Sequence, residues 1–136
     1  MRAEGAAARV TEEIIQFLIA RLDEDEAASR IAEAEEASPW STDSRGENIY
    51  SASDNPAHPF AIAPWGDLGV EVSKHIARWD PARVLADIAA KRRIVLERPW
   101  PSGRNWDLVR AWHDTTVRLF ALQYAAHPDY REEWRP

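Results

Sequence analysis

Thr11-Glu12-Glu13-Ile14-Ile15-Gln16-Phe17-Leu18-Ile19-Ala20-Arg21-Leu22 is the stretch from which the architecture is read. Ile14, Phe17, Leu18 and Leu22 recur at three and four, the period of one helix face, and neither glycine nor proline interrupts the chain from there to Glu36. Thr11 reads as the N-cap, and Glu12 and Glu13 suit the positive end of the helix dipole. Ser38-Pro39 closes the helix, because a residue before proline avoids helical angles. A long helix is expected over 11–36. Beyond Leu22 only Ile31 is strongly apolar, so Asp23-Glu24-Asp25-Glu26 should face solvent and the second half should fray.

From 40 to 69 the composition turns to Ser, Asp, Asn, Pro and Gly, with short apolar pieces at Ile49-Tyr50 and Phe60-Ala61-Ile62. This predicts two or three short strands, with turns at Ser44-Arg45-Gly46 and Asp54-Asn55-Pro56 and with Trp40 and Trp65 as apolar cover. Residues 70–98 read as a helix broken and restarted at Asp80-Pro81, where aspartate caps and proline takes the first helical position. In the restarted helix Val84, Leu85, Ile88 and Val95 share one side, while Lys91, Arg92 and Arg93 should face water. Asn105 then caps a helix over 105–126, whose Leu108, Val109, Trp112, Thr116, Leu119 and Phe120 form an apolar stripe. Residues 127–136 are left as a tail. The fold class is α+β and mainly α: a long first helix, a small two- or three-stranded antiparallel sheet, two to three further helices and a short last turn.

The 136 residues suit one domain over 1–136, and the apolar and charged shares are those of a folded globule. The absence of cysteine removes disulfides, thiolate metal sites and cysteine nucleophiles, and fits a reducing cytoplasmic setting. The apolar run Ile14–Ala20 is too short and too interrupted to span a bilayer, so no membrane association is expected. The net charge of -6 is unevenly spread, with 5 basic and 14 acidic residues in 1–70 against 12 and 9 in 71–136. Such asymmetry gives solubility and steering before it gives a site. Nucleic-acid binding needs a dense basic face, and only Lys91, Arg92 and Arg93, with Arg98 beyond them, approach one.

His75-Ile76-Ala77-Arg78-Trp79-Asp80-Pro81-Ala82-Arg83-Val84-Leu85, followed by Ala90-Lys91-Arg92-Arg93-Ile94, resembles a family of small uncharacterised actinobacterial and actinophage proteins. The ending His127-Pro128-Asp129-Tyr130-Arg131-Glu132-Glu133-Trp134-Arg135-Pro136 is similar to that family's terminus, and the first helix with Ser38-Pro39-Trp40 is similar to its opening. The arrangement is also loosely similar to the Ead-like early-region proteins of temperate phages. The resemblance implies an accessory protein and brings no catalytic residues. This chain departs from the pattern at Gln123 and Ala126, which predicts a longer last helix.

No catalytic, cofactor or metal site emerges from the motifs. The serines lack a Gly-x-Ser-x-Gly turn, the five glycines are isolated, and the four histidines are scattered. His127-Pro128-Asp129 resembles the J-domain tripeptide, but a J-domain continues into a further long helix. A proline stop followed by an aspartate cap is the simpler expectation. Seven tryptophans stand at 40, 65, 79, 100, 106, 112 and 134. Trp79 and Trp112 fall in apolar helical patterns and are expected to be buried, whereas Trp100, Trp106 and Trp134 lie beside Pro, Gly or charge and are expected to be exposed. Tryptophan, tyrosine and arginine anchor interfaces, so Tyr130, Arg131, Trp134 and Arg135 form a candidate recognition tail. The expectation is a non-enzymatic, cytoplasmic accessory or adaptor protein that meets a protein partner or a second copy of itself through the aromatic tail and the face of the third helix. It needs no cofactor. The alternatives are a nucleic-acid-associated regulator using Lys91, Arg92, Arg93 and Arg98, and a small hydrolase using its carboxylates.

Overall fold

The computed structural model describes residues 2–53, 59, 61–62, 69–97 and 104–136. In chain order these form α1 (Arg2–Glu35), β1 (Ser41–Thr42), β2 (Asn48–Tyr50), β3 (Ala61–Ile62), α2 (Val70–Arg78), α3 (Pro81–Leu96) and α4 (Trp106–Ala121). Short 3-10 turns follow at Leu122–Tyr124 and Glu132–Trp134. The fold is α+β and mainly α, as the patterning predicts. Among the described residues no helix is long and apolar enough to cross a membrane. The chain divides into two compact units, one of residues 1–24 with 89–136 and the other of residues 25–88. The helices α1 and α3 each contribute residues to both.

α1 starts well before the expected N-cap. The alanines at 6, 7 and 8 are strong helix formers and carry the helix upstream, so Thr11 lies inside it and caps nothing. Its hydroxyl instead sits 2.6 Å from the Asp114 carboxylate. The second half does not fray: it stays helical to Glu35 although Ile31 is exposed, and it carries an Arg30–Glu26 pair at 2.6 Å. The end is closed by side chains. The Glu33 carboxylate accepts from the Ser38 backbone N–H and hydroxyl, and the Trp40 indole N–H donates to the Glu36 carbonyl at 2.8 Å. The Ser38–Pro39 peptide is cis.

In the 25–88 unit the three strands pair antiparallel in the order β1-β2-β3, with Thr42 opposite Ile49 and Ile49 opposite Ala61. The β1–β2 turn is built on Asp43. Its carboxylate accepts from the backbone N–H of Arg45 and Glu47 and from the Asn48 amide. Burial pulls the Asp43 pKa upward, but those bonds and the one from Gly46 outweigh it and hold the carboxyl below its ordinary 3.8. Gly46 closes the turn at φ +67°, where a Cβ would stand 2.5 Å from the Val70 backbone. The same turn is fastened to α2, because the buried Ser73 hydroxyl donates to the Gly46 carbonyl. The expected turn at 54–56, Phe60 and Trp65 lie outside the described residues.

The Asp80-Pro81 break falls where the sequence puts it. Asp80 accepts from the Arg83 N–H at 2.9 Å, capping α3, and its other oxygen accepts from the Trp40 N–H at 3.3 Å. The Ser38 hydroxyl accepts from the Ala82 N–H at 3.0 Å, so Asp80 and Ser38 between them satisfy two of the orphan donors that begin α3.

In the other unit the core is Ile14, Ile15, Phe17 and Leu18 of α1, Val95 of α3, Val117 and Ala121 of α4, and Trp134. Asn105 stands at the N-cap of α4, but its side chain makes no capping bond. α4 stops at Ala121 and tightens into a 3-10 turn, so the longer helix expected from Gln123 and Ala126 does not form.

The hairpin turn generates two expected outcomes. Gly46→Ala should lower stability by about 2–4 kcal/mol in chemical denaturation, since it meets both a positive φ and the Val70 backbone. Asp43→Asn should also destabilise, in a pH-dependent way. The depressed carboxyl contributes stability above its ordinary value of 3.8 and loses it as pH falls through the lower folded value. In thermal melts across pH, the gap between the D43N protein and its parent should therefore close in acid.

Candidate protein-interaction surface

The last ten residues do not form a free tail. Trp134 is only 3% exposed and packs on Phe17 with ring centroids 5.2 Å apart. The expectation that Trp134 is exposed is corrected here: flanking charges mislead, because the 3-10 turn at 132–134 directs Glu132 and Glu133 outward while the indole turns in. Tyr130 is half-buried and stands edge-on to both Phe17 and Trp134. Arg131 pairs with Glu13 of α1 at 2.8 Å and lies over the Trp134 ring. Arg135 bonds Glu132, which holds that carboxyl below its ordinary range. Of the four candidate tail residues, two fill or edge the core and two are committed to ion pairs.

His127-Pro128-Asp129 belongs to the same packing. The His127 ring lies 5.7 Å from Phe17 and is hydrogen-bonded to Arg21, a buried guanidinium that also pairs with Glu24 at 2.7 Å. The Asp129 backbone N–H donates to His127 Nδ1 at 3.1 Å. The tripeptide is thus a turn held by its own histidine. The aspartate cap expected there is replaced by a carboxylate 3.9 Å from Arg21.

The basic cluster is dispersed. Lys91 donates to Gln123 at 2.9 Å, Arg92 to Asp23 at 2.6 Å, and Arg93 to Glu97 at 2.6 Å. Successive helical positions diverge by about 100°, and here the three cations find three different partners. Lys91 and Arg92 are half-buried rather than facing water as expected. Arg98 lies outside the described residues.

The exposed apolar surface of this unit lies mostly on α4, with Ile94 and Leu96 of α3 exposed as well. Leu108 is 71% exposed, Trp112 66% and Leu119 52%, and Val109 is exposed beside them. The expectation that this stripe packs inward, with Trp112 buried in it, is corrected; of its large apolar members only Phe120 leans on the core. At about 100° per residue, positions 108, 112, 115 and 119 fall within about 60° of arc, opposite 113, 117 and 121. The second set, His113, Val117 and Ala121, is the buried one. Sequence reading chooses the more apolar stripe, whereas the core takes the narrower one, whose small Ala121 and Val117 let α4 approach. A shallow hollow of about 240 Å³ between Ile94 and Glu97 of α3 and Val109, Trp112 and His113 of α4 extends the outer face.

In the 25–88 unit, Trp79 is also exposed rather than buried, with the Arg83 guanidinium 4.4 Å above its ring. Trp106, in the other unit, is half-buried, and Trp100 lies outside the described residues. Glu71 and His75, one turn apart on α2, line a cleft with Trp40, Ser41, Thr42 and Arg78, a four-residue spacing that sequence reading missed. Glu71 is paired with Lys74 at 3.0 Å, and no group of three or more His, Asp or Glu side chains among the described residues could hold a metal ion.

Comparison with known families matches residues 11–136 to the family described as Family of unknown function (DUF6221). The chain belongs to the DUF6221 family. No curated protein and no solved structure matches it. Membership covers the α1 apolar stripe, the Asp80-Pro81 break and the packed ending, and the DUF6221 description assigns none of them a role.

The placement of the ending has a measurable consequence. Trp134→Ala should cost about 3–5 kcal/mol in urea unfolding, the scale of a buried aromatic truncation, and Trp112→Ala should cost less than about 1 kcal/mol. Equal losses would mean that the inner and outer faces are wrongly assigned.

Proposed function

We propose that this DUF6221 protein is a non-enzymatic accessory or adaptor protein that works through protein–protein contacts in the cytoplasm. The mobile-element setting comes with the resemblance to actinophage and Ead-like early-region proteins. The contact surface in this reading is the outer face of α4 with Ile94 of α3 beside it, in place of the aromatic ending. One observation carries it: Leu108, Trp112 and Leu119 stand in a row on the face of α4 opposite its core side. Single exposed leucines need no explanation, but an aligned row with a tryptophan at its centre is the composition that interface anchors have.

Two further features support the reading. The threonine hydroxyls on this face are already satisfied, since Thr115 donates to the Ala111 carbonyl at 3.0 Å and Thr116 to the Trp112 carbonyl at 2.8 Å. A partner could therefore dry the face without stranding those donors. The charges of the Lys91–Arg93 segment are turned to Asp23, Glu97 and Gln123, which leaves little reason to assign the role to nucleic acid.

The test is affinity capture from cells that natively contain the protein, comparing the parent with Trp112→Lys and confirming an unchanged melting curve. A protein recovered with the parent should fall about tenfold or more with the variant. Recovery of the same proteins at the same level by both would sink the reading.

A further inference from the structure

The geometry points to a second copy of this chain as an occupant of the α4 face, held as an antiparallel, two-fold symmetric helix pair. This rests on the reading of α4 as a contact surface and names the partner. The pattern Leu108-x-x-x-Trp112-x-x-Thr115-x-x-x-Leu119 has the four-three-four spacing of a coiled-coil seam. It is also symmetric end to end. Turning a second α4 about an axis between positions 113 and 114 sets Leu108 against the second copy's Leu119. The same operation sets Trp112 against the second copy's Thr115. The largest side chain of the seam meets the smallest, twice, which is the self-complementarity that an isologous interface requires.

The parallel alternative is poorer on the same residues, because it sets Trp112 against Trp112 and aligns the two helix dipoles side by side. The antiparallel arrangement opposes the dipoles. Leu108, Val109, Trp112, Leu119 and Ile94 are each at least 37% exposed and together leave roughly 500 Å² of accessible surface per copy, within the size of the largest patch a monomer usually exposes. Two copies would bury at most about 1,000 Å², the size of a weak or transient interface, so the dimer should appear only toward the upper end of the concentration range.

The test is sedimentation velocity on the full chain from about 1 µM to about 1 mM. The expected result is a concentration-dependent shift from monomer to dimer, with Trp112→Lys weakening the dimer about 100-fold at an unchanged melting curve. Orientation is read by disulfide trapping, which the cysteine-free chain makes clean. Leu108→Cys and Leu119→Cys should cross-link on mixing, and neither should do so alone, because like positions in an antiparallel pair are about 16 Å apart along the axis. A parent that stays monomeric to the highest concentration, a dimer indifferent to Trp112→Lys, or cross-linking of Leu108→Cys with itself overturns the inference. If the parent is monomeric while capture of another protein still depends on Trp112, the inference falls and the contact-surface reading stands.

Discussion

Phe17 is packed by four rings, those of Tyr124, His127, Tyr130 and Trp134, with centroids 5.2–6.3 Å away, and the Arg21 guanidinium lies 5.5 Å from the Phe17 centroid. Each of the four rings comes from the segment after α4. A single side chain of the first helix thus sets where the end of the chain goes. Aromatic contacts of this edge-to-face kind add to the area buried. The short 3-10 turns and the His127-Pro128-Asp129 turn are the local geometry that brings each ring to its place. Without Phe17 those turns would have little to close on.

The same packing explains why α4 shows solvent its most apolar side. The core around Phe17 is filled by rings from the ending and by Ile14 and Leu18, and α4 joins it through Val117 and Ala121. His113 is buried on the same side of α4, whereas Trp112 stands on the opposite, exposed side. Periodicity alone locates the helix and its stripe, because the 3.6-residue repeat is a local property. Which of two stripes goes inward is decided by the volume left by residues distant in sequence, and that information is not in the repeat.

Legibility varies in the same way elsewhere. The Asp80-Pro81 restart is readable because both residues act on their own neighbours: proline fixes φ, and the aspartate bonds the Arg83 N–H in the first turn of α3. The small sheet is readable from its turn residues. Thr11 misleads because alanines upstream sustain a helix that needs no cap there, and Thr11 finds a partner in Asp114. Trp134 misleads because its charged neighbours describe the outside of a one-turn helix whose inside is a single residue. The Lys91-Arg92-Arg93 run looks like one basic face, yet adjacent helical positions point apart and each finds its own partner.

These outcomes share a cause that bears on function. In a chain this small each element has few neighbours, so a residue that the core cannot accommodate is left at the surface with its chemistry intact. For a charge that is inconsequential, because water and a nearby opposite charge accommodate it, as Arg93 and Glu97 do. For Leu108, Trp112 and Leu119 it is not, because their exposure costs free energy that burial against another surface would return. The threonines between them have turned their hydroxyls onto their own helix, so this strip resembles a core face more than a solvated one. The core that takes Val117 and Ala121 at one side of α4 therefore leaves the row on the other side available for contact.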